Sequence, residues 1–296
     1  MIRIALLISL LLLPSSLLAK DDAKAQLLYV AAADGNTDIF LAVGDEEPRN
    51  LTSNAAADLF PAWSPDGSRI AFTSNRDGGV FNVYVMNAAG GEVAKVTDVT
   101  ARDNATCLCP SWSPDGEALC YQRRAGNLSQ LFTIDMEAGR VRLLGDNAWD
   151  PAWSPRGDKI VFCGLGEKGW SVFTIEPDGA KRTEIVTSDN QAGMVYPAWS
   201  PDGKKIAFTK PVAGVFDLRV CDLDGQQEAA LTKIGAMASH ATWSADGKHV
   251  YYYRKVDDTH WQWERVDVAT GKSEPFKDWK PEPYIQGARL SWWQGR

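Results

Sequence analysis

Few of the residues that most often do chemistry are grouped closely enough in this chain to act together. It holds five cysteines and three histidines. Cys107-Leu108-Cys109 has the wrong spacing for a zinc knuckle, and no second Cys or His pair accompanies it. Cys120, Cys163 and Cys221 fall within β-rich runs and read as small buried hydrophobes. Asp222-Leu223-Asp224-Gly225 opens like a calcium loop but lacks the later ligands and the closing Glu, so a hairpin turn explains it better. His249 lies on a strand and His260 in a loop beside Trp261. No metal site and no cofactor are expected. A Gly-x-Ser-x-Gly elbow, a His-Glu-x-x-His helix and a glycine-rich phosphate loop after a strand are all missing. The expectation is that the chain is not an enzyme.

Whatever site remains must be positioned by a repeat. Phe60-Pro61-Ala62-Trp63-Ser64-Pro65-Asp66-Gly67 returns around Trp112, Trp153 and Trp199, and in weaker form around Trp243. These tryptophans lie 49, 41, 46 and 44 positions apart, a spacing that belongs to propeller blades and a few helical arrays. Between them the sequence reads as strands. A run such as Arg69-Ile70-Ala71-Phe72-Thr73 follows each Gly, then one such as Asn82-Val83-Tyr84-Val85, then a third such as Glu92 to Thr97. Pro presets φ in the Ser-Pro-Asp-Gly turn and Gly takes the positive φ that follows, so Asp66, Asp115, Asp202 and Asp246 are turn-formers. Trp63, Trp112, Trp153, Trp199, Trp243 and Trp292 are expected to pack between blades, since a Trp buries about 200 Å².

The ends of the chain set the blade count. Leu27–Val30, Asp38–Leu41 and Arg49–Thr52 are three strands of a blade whose first strand is missing. Trp292 lies 49 residues beyond Trp243 with no strands after it. The two fragments complete each other. The expected fold is an all-β, six-bladed propeller of four-stranded blades, closed by the C-terminal strand, which completes the first blade.

Composition bounds the setting. Met1-Ile2-Arg3 followed by the apolar run Ile4–Leu13 has the layout of a secretory signal, with cleavage expected after Ala19 or Ala25. The domain reading is residues 1–25 as signal and leader, and 26–296 as one propeller. The apolar run is too short to span a bilayer, so no stable membrane insertion is expected. A net charge of −7 with no basic stripe argues against nucleic acid as a partner. Five cysteines leave an odd thiol in an oxidising compartment and do not form a disulfide framework.

The repeated Pro-Ala-Trp-Ser-Pro-Asp-Gly-x-x-Ile-Ala-Phe, followed by Tyr84-Val85-Met86-Asn87, resembles the propeller repeat of the TolB family across the mature chain. The resemblance implies a six-bladed ring and a periplasmic, or secreted, address. It extends to the propeller portion only. With the first blade starting at Leu27, no room is expected for the α/β domain that precedes the propeller in TolB. Relatives of this repeat fold also include lyases of uronates that use His and a metal at the channel mouth. This chain offers one His there, His240, too few for a metal cage.

The position three residues before each Trp differs from copy to copy. Phe60, Cys109, Asp150, Tyr196, His240 and Arg289 occupy it, where the chain starts the innermost strand near one mouth of the channel. A purely structural position in a repeat tends to read alike in every copy. This mixture suits hydrogen-bonded capture of a chain terminus or an acidic loop, with Arg289 as a bidentate anchor. The expected role is a monomeric binding or scaffolding module for a protein or peptide partner in the cell envelope. The alternative is a carbohydrate-active lyase or small-ligand binder using the same mouth.

Overall fold

The computed structural model describes residues 26–33, 35–43, 46–187, 193, 195–212, 214–232, 238–258, 260–276 and 290–293. The leader and Arg289 lie outside the described residues. Blade 1 holds β1 (Gln26–Ala33), β2 (Asn36–Val43) and β3 (Arg49–Asn50). Blade 2 holds β4 (Asp58–Trp63), β5 (Arg69–Ser74), β6 (Asn82–Asn87) and β7 (Ala94–Lys95). Blade 3 holds β8 (Ala105–Trp112), β9 (Ala118–Ala125), β10 (Leu128–Asp135) and β11 (Val141–Asp146). Blade 4 holds β12 (Ala148–Trp153), β13 (Ile160–Leu165), β14 (Trp170–Ile175) and β15 (Thr183–Thr187). Blade 5 holds β16 (Val195–Trp199), β17 (Lys205–Val212), β18 (Val215–Asp222) and β19 (Ala229–Ala230). Blade 6 holds β20 (Ala238–Trp243), β21 (His249–Lys255), β22 (Trp261–Asp267) and β23 (Ser273–Pro275), and β24 (Ser291–Trp293) follows.

Each blade is a four-stranded antiparallel sheet, and in blade 1 the order is β24-β1-β2-β3. Gln26, Leu27 and Leu28 pair with Trp293, Trp292 and Ser291, so the chain's last strand is the first blade's innermost one. A hydrogen bond from the Trp63 N–H to the Ser291 hydroxyl, 3.0 Å long, ties this strand to blade 2. The six-bladed ring is therefore closed as the repeat and its two end fragments require.

Burial explains which residues form which strand. A blade is covered by a neighbour on each face, so its second strand is apolar without alternation. Ile70 to Ser74 and Ile160 to Gly164 are buried at every position. Outermost strands have no sheet beyond them. They are short, as β3, β7 and β19 are, and β7 and β23 are exposed throughout. Short outer edges limit pairing with other chains. The core is a series of joints between blades. One cluster runs from Tyr251 and Trp263 of blade 6 through Leu27 and Ile39 to Trp63 and Phe72 of blade 2. Smaller clusters fill the other joints.

Candidate functional site

The innermost strands share one irregularity. Phe60, Cys109, Asp150, Tyr196 and His240 have φ of 51°, 55°, 52°, 57° and 56°. Left-handed backbone costs a non-glycine residue roughly 1–2 kcal/mol. At each of them the pairing register shifts, which is the mark of a β-bulge. Pro61, Pro110, Pro151 and Pro197 follow four of the five, where a missing N–H costs no ladder bond. These residues thus stand inside the inner strands rather than in loops before them.

The bulges bring neighbouring side chains together across the joints. Phe60, Cys109 and His240 are buried, and Asp150 and Tyr196 are half-buried. The Cys109 thiol donates to Asp150 Oδ1 at 3.5 Å, across the joint of blades 3 and 4. Tyr196 and His240 stack with ring centroids 3.8 Å apart, across the joint of blades 5 and 6. His240 Nδ1 lies 2.9 Å from Ser239 Oγ, and the Asp150 N–H donates to Gln122 Oε1 at 3.3 Å. These five residues form a girdle of bulges on the inner strands around the channel.

Directly beyond the girdle the channel widens into a cavity of about 590 Å³. Trp63, Trp112, Trp153, Trp199 and Trp243 line it, together with Pro65, Pro114, Pro155 and Pro201 of the turns that follow four of them, and no charged side chain among the described residues does. Trp63, Trp112 and Trp243 are nonetheless buried, so they serve the joints and the cavity wall at once. The indole N–H of Trp112 donates to the Ala62 carbonyl at 3.2 Å, that of Trp199 to Ala152 at 3.0 Å, and that of Trp243 to Ala198 at 3.1 Å. Each bond crosses to the preceding blade. The sequence reading assigned these tryptophans to packing and did not see the cavity.

The turns at the cavity's outer margin are held by their carboxylates. Ser64 donates to Asp66 Oδ1 at 2.6 Å, and Ser113, Ser200 and Ser244 donate to Asp115, Asp202 and Asp246 in the same way. The bond from the Ser64 hydroxyl, followed by that from Ser68, holds the Asp66 carboxyl down at about 2. Blade 4 has Arg156 in place of the turn Asp, and Asp158 takes over by accepting from Ser154 at 2.9 Å.

All five cysteines are buried in strands. Burial pushes the Cys107 thiol up to about 11, the opposite of an activated nucleophile. Among the described residues no three His, Cys, Asp or Glu side chains are placed to hold a metal ion. No helix among them is long and apolar enough to cross a membrane.

Comparison with known proteins places this geometry. The uncharacterized peptidase YuxL of Bacillus subtilis is 28% identical over 137 residues, 34% of this chain and 21% of its own. The Tol-Pal system protein TolB of Desulfosudis oleivorans is 35% identical over 57 residues, 19% of this chain and 13% of its own. The chain thus spans a minor part of these curated relatives. Among solved structures, TolB from Acinetobacter baumannii superposes with a TM-score of 0.73 at 17% identity, over 93% of this chain and 68% of that one. An oligogalacturonate lyase in complex with manganese gives 0.64 at 16% identity, over 86% of this chain and 74% of that one. A puromycin hydrolase gives 0.65 at 17% identity, over 87% of this chain and 44% of that one.

These neighbours correct the expectation that the chain is not an enzyme. The same propeller occurs in a hydrolase and a lyase, and a named peptidase shares part of its sequence. A propeller is a scaffold onto which chemistry is grafted. Motifs missing from its repeat therefore do not separate a binding module from a catalyst. What is decided is kinship: residues 21–195, more than half of the chain, match the TolB beta propeller domain, and the chain belongs to that family.

Proposed function

We propose that this chain is a periplasmic protein-binding propeller of the cell envelope, a monomer that takes a segment of a partner protein into its central channel. The observation that carries this reading is the cavity of about 590 Å³, walled by tryptophan from five blades and proline from four. Concave, mostly apolar sites on a rigid frame are where ligands bind, and Trp and Tyr are the commonest binding hot spots. The segment enters past the Ser-Pro turns, and the girdle of Phe60, Cys109, Asp150, Tyr196 and His240 sets its depth, with Tyr196 as the half-buried aromatic contact. The signal-like start and kinship with a Tol-Pal protein support the periplasmic address.

The test is capture from an envelope extract by the parent and by Tyr196→Ala. The expected result is one protein held by the parent and bound about 2 kcal/mol more weakly by the variant, with an unchanged circular dichroism spectrum. Two outcomes overturn the reading: no protein captured at several salt concentrations, or capture equally strong with the variant. Turnover of acidic oligosaccharides or peptides without any protein capture also overturns it, in favour of a catalytic role for the channel.

A further inference from the structure

A second cavity, of about 410 Å³, opens on the flank of the ring in the joint of blades 2 and 3. Its cause is a mismatch of outer strands. In blade 3 the outermost strand, β11, runs for six residues, whereas β7 of blade 2 ends after two. Pairing carries one face of blade 3 outward: Tyr121 stands opposite Phe132, Phe132 opposite Leu143, and Ile134 opposite Val141. Blade 2 covers the inner part of that face and leaves Val141 and Leu143 exposed. Val96, Val99, Phe132, Ile134 and Val141 are the apolar wall of the cavity, and Tyr121 and Arg123 also line it. The rings of Tyr121 and Phe132 are stacked with centroids 5.7 Å apart. Blades 2 and 4 hold similar pairs, and there an anchored arginine covers the rings. Arg76 Cζ lies 4.9 Å from the Phe72 centroid and 5.3 Å from that of Tyr84, and Arg76 pairs with Asp58. Arg182 Cζ lies 4.4 Å from the Phe173 centroid, and Arg182 donates to the Asp146 carbonyl. Over the blade 3 pair no cation stands among the described residues, and the cavity takes its place.

We propose that this flank cavity binds a small amphipathic carboxylic acid, its carboxylate on Arg123 and the Tyr121 hydroxyl and its apolar body against Phe132, Ile134 and the valines. The site is separate from the central channel and does not depend on what the channel takes. The Arg123 guanidinium is half-buried and makes no hydrogen bond or ion pair with a described residue. A cation partly desolvated by an apolar wall calls for an anion. Tyr121 is 4% exposed, and its hydroxyl has no hydrogen-bond partner among the described residues. A buried Tyr hydroxyl ordinarily has one. Burial raises that hydroxyl above its ordinary range, so it stays protonated and able to donate. Tyr121 and Arg123 are two apart on β9 and share a face, which lets both converge on one carboxylate. The acids close by are already engaged. Asp98, mostly exposed, accepts from Lys95, and Asp103 accepts from the Thr100 N–H and hydroxyl. The volume falls in the range of small-molecule sites, about 300–1,000 Å³.

The experiment is isothermal titration calorimetry of the full chain with octanoate and 3-phenylpropanoate, each beside its neutral amide. The variants are R123M, which keeps the side chain's length without its charge, and Y121F, which keeps the stacked ring without its hydroxyl. The parent should bind at least one acid roughly tenfold more tightly than the matching amide, and which acid it is tells an aliphatic from an aromatic occupant. R123M should bind that acid roughly tenfold more weakly and the amide as before, and Y121F should bind the acid roughly threefold more weakly. Both variants should capture the envelope partner as the parent does, because neither touches the channel. No binding of either acid at millimolar concentration, or an amide bound as tightly as its acid, would overturn the proposal. So would an R123M protein that binds the acid like the parent. Should R123M fail to fold, parental affinity in Y121F overturns the assignment by itself. Loss of envelope capture in a folded R123M would overturn the separation of the two sites.

Discussion

Four aspartates share one task in this molecule, and their chemistry has a pH signature. The Asp66 carboxyl is held at about 2, and those of Asp115 and Asp202 are also lowered, chiefly by the serine hydroxyls two residues before them. A depressed folded value means that the stabilisation is complete above the ordinary aspartate range, near 4, and is lost as pH falls through the folded value. The melting temperature should therefore be flat from neutrality to about pH 4 and drop steeply between about pH 4 and 2. Ser64→Ala removes one such bond and the cap on the Arg69 N–H, so it should cost roughly 1–2 kcal/mol at pH 7 and shrink the acid drop. An acid profile identical to the parent's would show that the turn carboxylates do not hold the blades. This task was legible in the sequence, because Ser-Pro-Asp-Gly names a turn by residue type. The left-handed girdle was not. Phe, Cys, Asp, Tyr and His share no preference that announces a positive φ, and only the proline after four of them marks the bulge. Variety singles this position out in the sequence near one mouth of the channel, and in the structure five of its six residues stand on left-handed bulges inside the inner strands.

At the scale of elements, the joints between blades are closer than strand patterning alone reveals. Gly225 has φ +74°, and a Cβ added there would stand 1.9 Å from the Ile185 carbonyl of the preceding blade. Gly139 has φ +65° with open space around it. Gly139→Ala should cost about 1 kcal/mol from backbone strain alone, and Gly225→Ala clearly more, because backbone must move between blades 4 and 5. Thermal melts of the pair check this, and equal losses would deny the close approach. The ring-closing strand is the more consequential element. Deleting residues 287–296 removes β24, opens the edge of β1 and takes away the Ser291 cap on Trp63. The expected outcome is a loss of several kcal/mol or aggregation, whereas Ser291→Ala should lose about 1 kcal/mol. A truncated protein that melts with the parent would contradict the closure. The strand itself was readable from the spacing of Trp292. The outer strands read longer than they are: Glu92 to Thr97 looked like a full run, yet only Ala94 and Lys95 pair. Glu92 takes a left-handed conformation, and no sheet lies beyond to reward further pairing.

For the whole molecule, closure changes how it can come apart. In an open row of repeats, an end unit unfolds by breaking one joint, so stability is local and frays from the ends. In this ring every blade has two joints filled by apolar side chains, one cluster spanning both joints of blade 1 and four others filling the rest, and freeing any blade breaks both of its joints. The molecule should accordingly unfold in one step, with the far-ultraviolet signal of the strands and the fluorescence of the joint tryptophans changing together. Phe162→Ala weakens the joint of blades 3 and 4, and Phe208→Ala that of blades 4 and 5. Each should lower the global stability by about 3–5 kcal/mol and leave the two signals coincident. Deleting β24 converts the ring into an open row whose first and last blades each keep one complete joint. In that protein the two signals should separate, because the ends can melt while the middle holds. The same distinction bears on function: a cavity lined from all six blades, Ser291 of the closing strand included, keeps its shape only while the ring is closed, so a binding segment and the C-terminal strand stabilise the same arrangement. Adding the protein captured from the envelope extract should raise the midpoint of the closed protein and have no effect on the opened one. A separated melt in the parent, or an equal effect of the captured partner on both proteins, would show that the blades are held independently and that the cavity does not depend on closure.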